Sequence, residues 1–201
     1  MIICVTQRKL CKDNFFQRID SIASAKPNAI ILREKDCTEK EYLKLAKKCY
    51  DICKKYNVTL IINTFYNVAK RLNLPVQISF PESQKYSHLP INTGVSIHSV
   101  KEAVEAEKNG ADFLIAGHIF PTLCKPGLPP RGTNFLSEIC NNVSCPVLGI
   151  GGIDENNVFD IAKTEASGFC VMSSLMECPN PYEKTLTLRN ISEKFFHYTI
   201  K

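Results

Sequence analysis

Residues 113–125 read Phe-Leu-Ile-Ala-Gly-His-Ile-Phe-Pro-Thr-Leu-Cys-Lys, and the rest of the chain is organised around what they imply. A short apolar run ends in Gly117, His118 opens a loop, and Lys125 follows seven residues later. An imidazole at a strand end is placed for chemistry, because its unperturbed titration lies near neutral pH. Downstream, the apolar run Pro146 to Ile150 opens onto Gly151 and Gly152, and a further run leads into Ser173 and Ser174. Three successive strand ends thus offer a candidate base, a cation and a candidate phosphate cradle.

Read outward from there, short apolar runs alternate with amphipathic stretches along the whole chain. The candidate strands are Ile2 to Val5, Ala29 to Leu32, Thr59 to Ile62, Val76 to Ile78, Thr93 to Val95, Phe113 to Ala116, Val147 to Gly149 and Gly168 to Val171. Continuous apolar runs of this length suit parallel strands buried on both faces. Eight such strands in 201 residues, about 25 residues per βα unit, predict an α/β fold: a small (β/α)8 TIM barrel forming one domain over residues 1–201. An open doubly wound sheet is the competing architecture. The barrel is preferred because it gathers motifs from successive strand ends around one mouth.

Helix signals agree with this spacing. Thr38 with Glu41, and Ser99 with Glu102, have the form of capping boxes, and Gly110 stands where a left-handed residue ends the fifth helix. The stretch from Val76 to Ser87 is the weakest unit, with a brief strand and barely enough residues for its helix.

The net charge of +5 is mild, and the lysines form no basic run with interleaved aromatics, so nucleic acid is not an expected partner. No stretch approaches the ~20 apolar residues that span a bilayer, and the N-terminus lacks a signal-peptide pattern. A cytoplasmic location is expected. The ten cysteines include no Cys-x-x-Cys and read as reduced, mostly small apolar fillers. Cys49 and Cys53 are helically spaced, but no matching Cys/His pair accompanies them. A homo-oligomer is compatible with the sequence, which does not fix the assembly state.

Arg33, Glu34, Lys35 and Asp36 follow the second strand directly. On their own they read equally as a solvated loop with internal ion pairs; together with Lys125 and Arg131 they point to an anionic ligand. Gly151 and Gly152, followed by Ile153 and Asp154 at an expected helix start, would let backbone N–H groups approach a phosphate, with Ser173 and Ser174 on the neighbouring loop. The competing account is a tight turn that needs glycine. His98 is a weaker candidate for the mouth, and His88 and His197 read as surface residues.

The series Leu32-Arg33-Glu34-Lys35-Asp36, Asn63, Gly94 through Ser99, Gly117 through Lys125, Gly149 through Ile153 and Val171 through Ser174 resembles the thiamine phosphate synthase superfamily. The resemblance implies a (β/α)8 barrel and a thiazole phosphate held near Gly151, Gly152, Ser173 and Ser174, with Asn63 and Ser96 as further substrate contacts. Synthases of this superfamily couple a pyrimidine pyrophosphate to a thiazole phosphate and hold magnesium with aspartates after strands three and four. Here Thr64 follows Asn63, Ser79-Phe80-Pro81-Glu82-Ser83 replaces the His-x-Gly-Gln-x-Asp pattern, and Ile31 replaces a glutamine. The Gly117-His118 pair is similar to the TenI branch, the thiazole tautomerases. That likeness implies isomerisation of a dihydrothiazole carboxylate phosphate to its aromatic form without metal or redox cofactor. His118 would transfer the proton, and Lys125, Arg33 and Lys35 would hold the carboxylate. The alternatives are a thiamine phosphate synthase and a non-catalytic binder of thiazole or thiamin phosphates.

Overall fold

The computed structural model describes residues 1–90 and 92–196, so His197 lies outside the described residues. Eight parallel strands close into a barrel in sequence order: β1 (Ile2–Val5), β2 (Ala29–Leu32), β3 (Thr59–Asn63), β4 (Val76–Ser79), β5 (Thr93–Ile97), β6 (Phe113–Gly117), β7 (Val147–Ile150) and β8 (Gly168–Val171). Closure is direct, with Ile3 opposite both Ala29 of β2 and Cys170 of β8. The open-sheet alternative is thereby excluded. Several strands run one or two residues further toward the mouth than their apolar runs, because Asn63, Ser79, Ser96 and Ile97 continue the ladders.

The helices are α1 (Phe15–Ser24), α2 (Glu39–Lys55), α3 (Tyr66–Leu72), α4 (Phe80–Ser83), α5 (Val100–Lys108), α6 (Gly132–Asn142), α7 (Val158–Ala162), α8 (Ser173–Met176) and α9 (Pro181–Phe195). The short fourth unit is real, since α4 is a single turn. Thr38 and Glu41 form the complete capping box of α2. At α5 the box is half-formed: Ser99 accepts from the Glu102 amide, while Glu102 reaches back to the His98 amide at 2.6 Å. Gly110 has φ +93° just after the α5 C-cap.

Strand periodicity divides the apolar residues between two compartments. Ile3, Val5, Ala29, Ile31, Ile61, Ile115, Leu148 and Cys170 fill the barrel interior. Alternate residues such as Ile2, Cys4, Ile30, Leu32, Leu60 and Ile62 pack outward beneath the helices. Gly94 is required by close approach, because a Cβ there would lie 2.1 Å from Cζ of Phe113. All ten cysteines are free thiols, and Cys4, Cys49, Cys53 and Cys170 are buried; burial pushes the Cys53 thiol up to about 12. No described helix is long and apolar enough to cross a membrane.

Tyr42 of α2 ties the outer layer to the barrel. Its fully buried hydroxyl donates to the Leu32 carbonyl and accepts from the Asn63 amide at 3.1 Å. Tyr42→Phe leaves both buried backbone groups without that partner and is expected to lower stability by about 1–3 kcal/mol. Urea unfolding checks this, and an unchanged midpoint would contradict it.

Candidate active site at the barrel mouth

The segment after β2 shows how the chain separates its charges. Glu34 is only 2% exposed. Its carboxylate accepts from Thr6 Oγ1 at 2.7 Å and from the Arg8 amide at 3.0 Å to each oxygen. Burial raises the Glu34 carboxyl above its ordinary value, against the pull of those hydrogen bonds. Asp36 takes the Arg8 guanidinium at 2.8 Å and the Lys9 ammonium at 3.2 Å, and these contacts, led by Lys9, hold its carboxyl below the usual range. Both acids are thus committed to the loop after β1.

The alternate residues, Arg33 and Lys35, are left without acids. Among the described residues, neither they nor Lys125 form an ion pair within 4.0 Å. The Arg33 amide donates to Thr6 Oγ1 at 3.0 Å, and its guanidinium lies 3.9 Å from the Met172 sulfur, beside the segment that leads into Ser173. Lys35 is held below the ordinary lysine pKa first by the Arg33 charge, then by partial burial and by Lys125. Lys35 thus feels the charge of Arg33 on its own loop and that of Lys125 on the loop after β6. The internal ion pairs expected of a solvated loop do not form; the acids pair instead with Arg8 and Lys9.

The strand-six motif lies against the loop after β7. Ile119 N–H donates to the Ile150 carbonyl at 2.9 Å, and Phe120 N–H to the Gly151 carbonyl at 3.0 Å. Gly151 (φ +104°) has no room for a Cβ, which would sit 2.4 Å from His118 Cβ. At Gly152 (φ +66°) a Cβ would meet the Pro121 carbonyl oxygen at 2.3 Å. Packing of two loops therefore requires both glycines. The helix expected from Asp154 starts later, at Val158, because Asn157 Oδ1 accepts from the Asp154 amide and Asp154 Oδ1 from the Asn156 amide, making a local turn. Among the described residues the amides of Gly152, Ile153, Ser173 and Ser174 donate to no protein acceptor. Ser174 Oγ is buried without a partner. These groups lie on neighbouring loops, since Ile150 of β7 stands opposite Cys170 of β8.

His118 is 5% exposed and lines a cavity of about 440 Å³ with His98, Lys125, Leu128, Pro129, Pro130 and Arg131. Its Nε2 lies 3.3 Å from the Leu128 carbonyl, and His98 Nδ1 lies 2.9 Å from the Gly117 carbonyl. His98 thus shares the cavity with His118, while Arg131 rests its guanidinium 4.9 Å from the Phe135 ring. His88 is exposed, as expected.

Asn63 and Ser96 are joined by a residue the sequence reading missed. Asn63 Nδ2 donates to Gln77 Oε1 at 2.6 Å, and Gln77 Nε2 donates to Ser96 Oγ at 2.7 Å and to the Ile78 carbonyl at 2.8 Å. Thr64 Oγ1 donates to Asn63 Oδ1 at 3.2 Å. The available signal was a lone amide within Val76-Gln77-Ile78, in register with Asn63.

The magnesium site implied for synthases is not matched by these residues. Thr64 supplies no carboxylate, Glu82 is engaged by Lys85 at 2.6 Å, and the described residues contain no cluster of three His, Cys, Asp or Glu side chains arranged to hold a metal.

Comparison with known proteins corrects the tautomerase expectation. A family model described as thiamine monophosphate synthase matches residues 2–175. A putative thiamine-phosphate synthase 2 of Aquifex aeolicus is 33% identical over 88% of this chain and 97% of its own length. The thiamine-phosphate synthase of Clostridium tetani is 33% identical over 86% of each chain. A thiamine phosphate pyrophosphorylase of Pyrococcus furiosus superimposes with a TM-score of 0.85 at 27% identity, covering 98% of this chain and 96% of that one. These relatives bear synthase names, so the reading of the Gly117-His118 pair as the mark of an isomerase is overturned. The pair has a packing role in the geometry above, seated against Ile150 and Gly151. From its barrel topology and its matched residues, the chain belongs to the thiamine monophosphate synthase family.

Proposed function

We propose that this barrel mouth carries out the thiamine-phosphate synthase reaction, joining a pyrimidine carried as its pyrophosphate to a thiazole phosphate. The observation that supports it most is that Arg33 and Lys35, after β2, and Lys125, after β6, have no acidic partner among the described residues, at the end of a barrel whose interior is apolar. Such a cluster favours a polyanion, and the favourable interaction grows where burial reduces screening. In the coupling, the carbon–oxygen bond to pyrophosphate breaks with its electron pair leaving on the pyrophosphate. The thiazole nitrogen supplies the pair for the new carbon–nitrogen bond. A cation cluster that holds the leaving group stabilises charge where it develops.

The unpaired amides of Gly152, Ile153, Ser173 and Ser174, on the loops after β7 and β8, would receive the thiazole phosphate. Asn63, Gln77 and Ser96 form a polar edge between the apolar floor and the rim, suited to orienting a heterocycle through the remaining capacity of Ser96 Oγ. His118 holds the loop bearing Lys125 through Leu128, which makes it a positioning residue for that cation. These assignments draw support from the placement of the groups on adjacent strand ends and from the synthase names of the relatives.

Incubating the chain with the two substrates and following thiamine phosphate by mass should show product and pyrophosphate appearing in equal amounts. Absence of product while both substrates bind would sink the proposal. Replacing Lys35 by Met should raise KM for the pyrophosphate substrate by about 10–100-fold, the loss expected for one charge-assisted hydrogen bond; an unchanged KM would remove Lys35 from the site.

A pH dependence follows from the Lys35 shift. The neighbouring Arg33 charge lowers the pKa of Lys35, and a bound anion raises it again. Affinity for the anion is then full below the free-state pKa of Lys35 and declines as pH rises through it. Arg33→Met should move the Lys35 ammonium titration upward, as read by NMR of the side-chain nitrogen. A titration that stays in place would contradict the coupling of the two cations.

A further inference from the structure

We infer that this mouth binds pyrophosphate without a divalent cation, Arg33, Lys35 and Lys125 supplying the positive charge directly. The choice of pyrophosphate rests on the coupling reaction proposed above; the independence from metal rests on the residues themselves.

Asn63 and Thr64 at the end of β3, and Gln77 and Ser79 at the end of β4, are all uncharged. Magnesium binds through carboxylates and phosphate oxygens in near-octahedral geometry. Here the strand ends carry a neutral chain from Thr64 through Asn63 and Gln77 to Ser96, linked at 3.2, 2.6 and 2.7 Å. Asn63 Oδ1 and Gln77 Oε1 are neutral amide oxygens that each accept one hydrogen bond within this chain, and neither supplies the negative charge of a carboxylate. Glu82, the nearest carboxylate in sequence, is a single carboxylate on α4 and pairs with Lys85 at 2.6 Å.

Glu34 and Asp36 are the acids nearest in sequence to Arg33 and Lys35, and both are held by the loop after β1. Arg33, Lys35 and Lys125 therefore remain without acidic partners among the described residues. Uncompensated cations repel a free divalent ion and attract a metal-free pyrophosphate.

Thr64 occupies the position after Asn63 with φ +69°, a left-handed conformation unusual for a β-branched residue. Its backbone is held there by the Thr64 amide donating to the Gln77 carbonyl at 2.9 Å and by the Thr64 carbonyl accepting from Tyr66 at 2.8 Å. The side chain is thereby directed to Asn63, completing the neutral chain at the place where the synthase pattern has a metal-binding aspartate.

The test is calorimetric titration of inorganic pyrophosphate into the full chain, in EDTA and in magnesium, with Lys35→Met, Arg33→Met and the exposed control Lys101→Met. Expected are saturable binding in EDTA, a loss of about 10–100-fold in affinity for either mouth variant, and no change for the control. Circular dichroism confirms that the variants fold. Binding seen only with magnesium, no binding in either buffer, or binding in EDTA indifferent to both mouth variants would each overturn the inference. Failure here with product formation intact would leave the coupling reaction standing, and metal-free binding without product would do the reverse.

Discussion

Burial of Glu34 is the constraint on which the mouth depends. With its carboxylate fixed by Thr6 and the Arg8 amide, the chain leaving β2 cannot turn over, and its alternation places Arg33 and Lys35 apart from the acids. Had Glu34 faced the mouth, it would have neutralised the neighbouring cations and removed the attraction for an anion. Desolvating a carboxylate is costly and is offset here by three hydrogen bonds and a nearby guanidinium. The stability of that small network is therefore tied directly to the charge of the site.

Across the barrel, a second contact sets the position of Lys125. The tight approach of Gly151 to His118, and of Gly152 to Pro121, joins the loops after β6 and β7 into one wall. From that wall, His118 reaches the Leu128 carbonyl and secures the segment that carries Lys125. The loops after β2 and β6 thus each present cations at the mouth, and fixed positive charge is what electrostatic stabilisation of the proposed leaving group requires.

Much of this was legible in the sequence because burial on both faces leaves an unambiguous trace. Runs such as Ala29 to Leu32 and Phe113 to Ala116 admit few other placements, and their spacing defined the barrel. The charged segment was legible only in part: its composition pointed to an anion, but the partners of Glu34 and Asp36 come from a loop over 20 residues away. Gln77 escaped notice because a four-residue strand with one amide carries little pattern. The helix after Gly152 was placed too early because Asp154 and Asn157 have the chemistry of caps yet satisfy a turn of their own. His118 shows a different limit, for a histidine beside a glycine reads alike whether it moves protons or secures a loop.

The most direct measurement is a crystal structure grown with pyrophosphate and manganese, recorded at a wavelength where manganese scatters anomalously. The account predicts pyrophosphate on Arg33, Lys35 and Lys125, with no anomalous peak at the ends of β3 and β4. A manganese peak bridging that pyrophosphate to Glu82 or Asn63, or pyrophosphate seated away from the three cations, would contradict it.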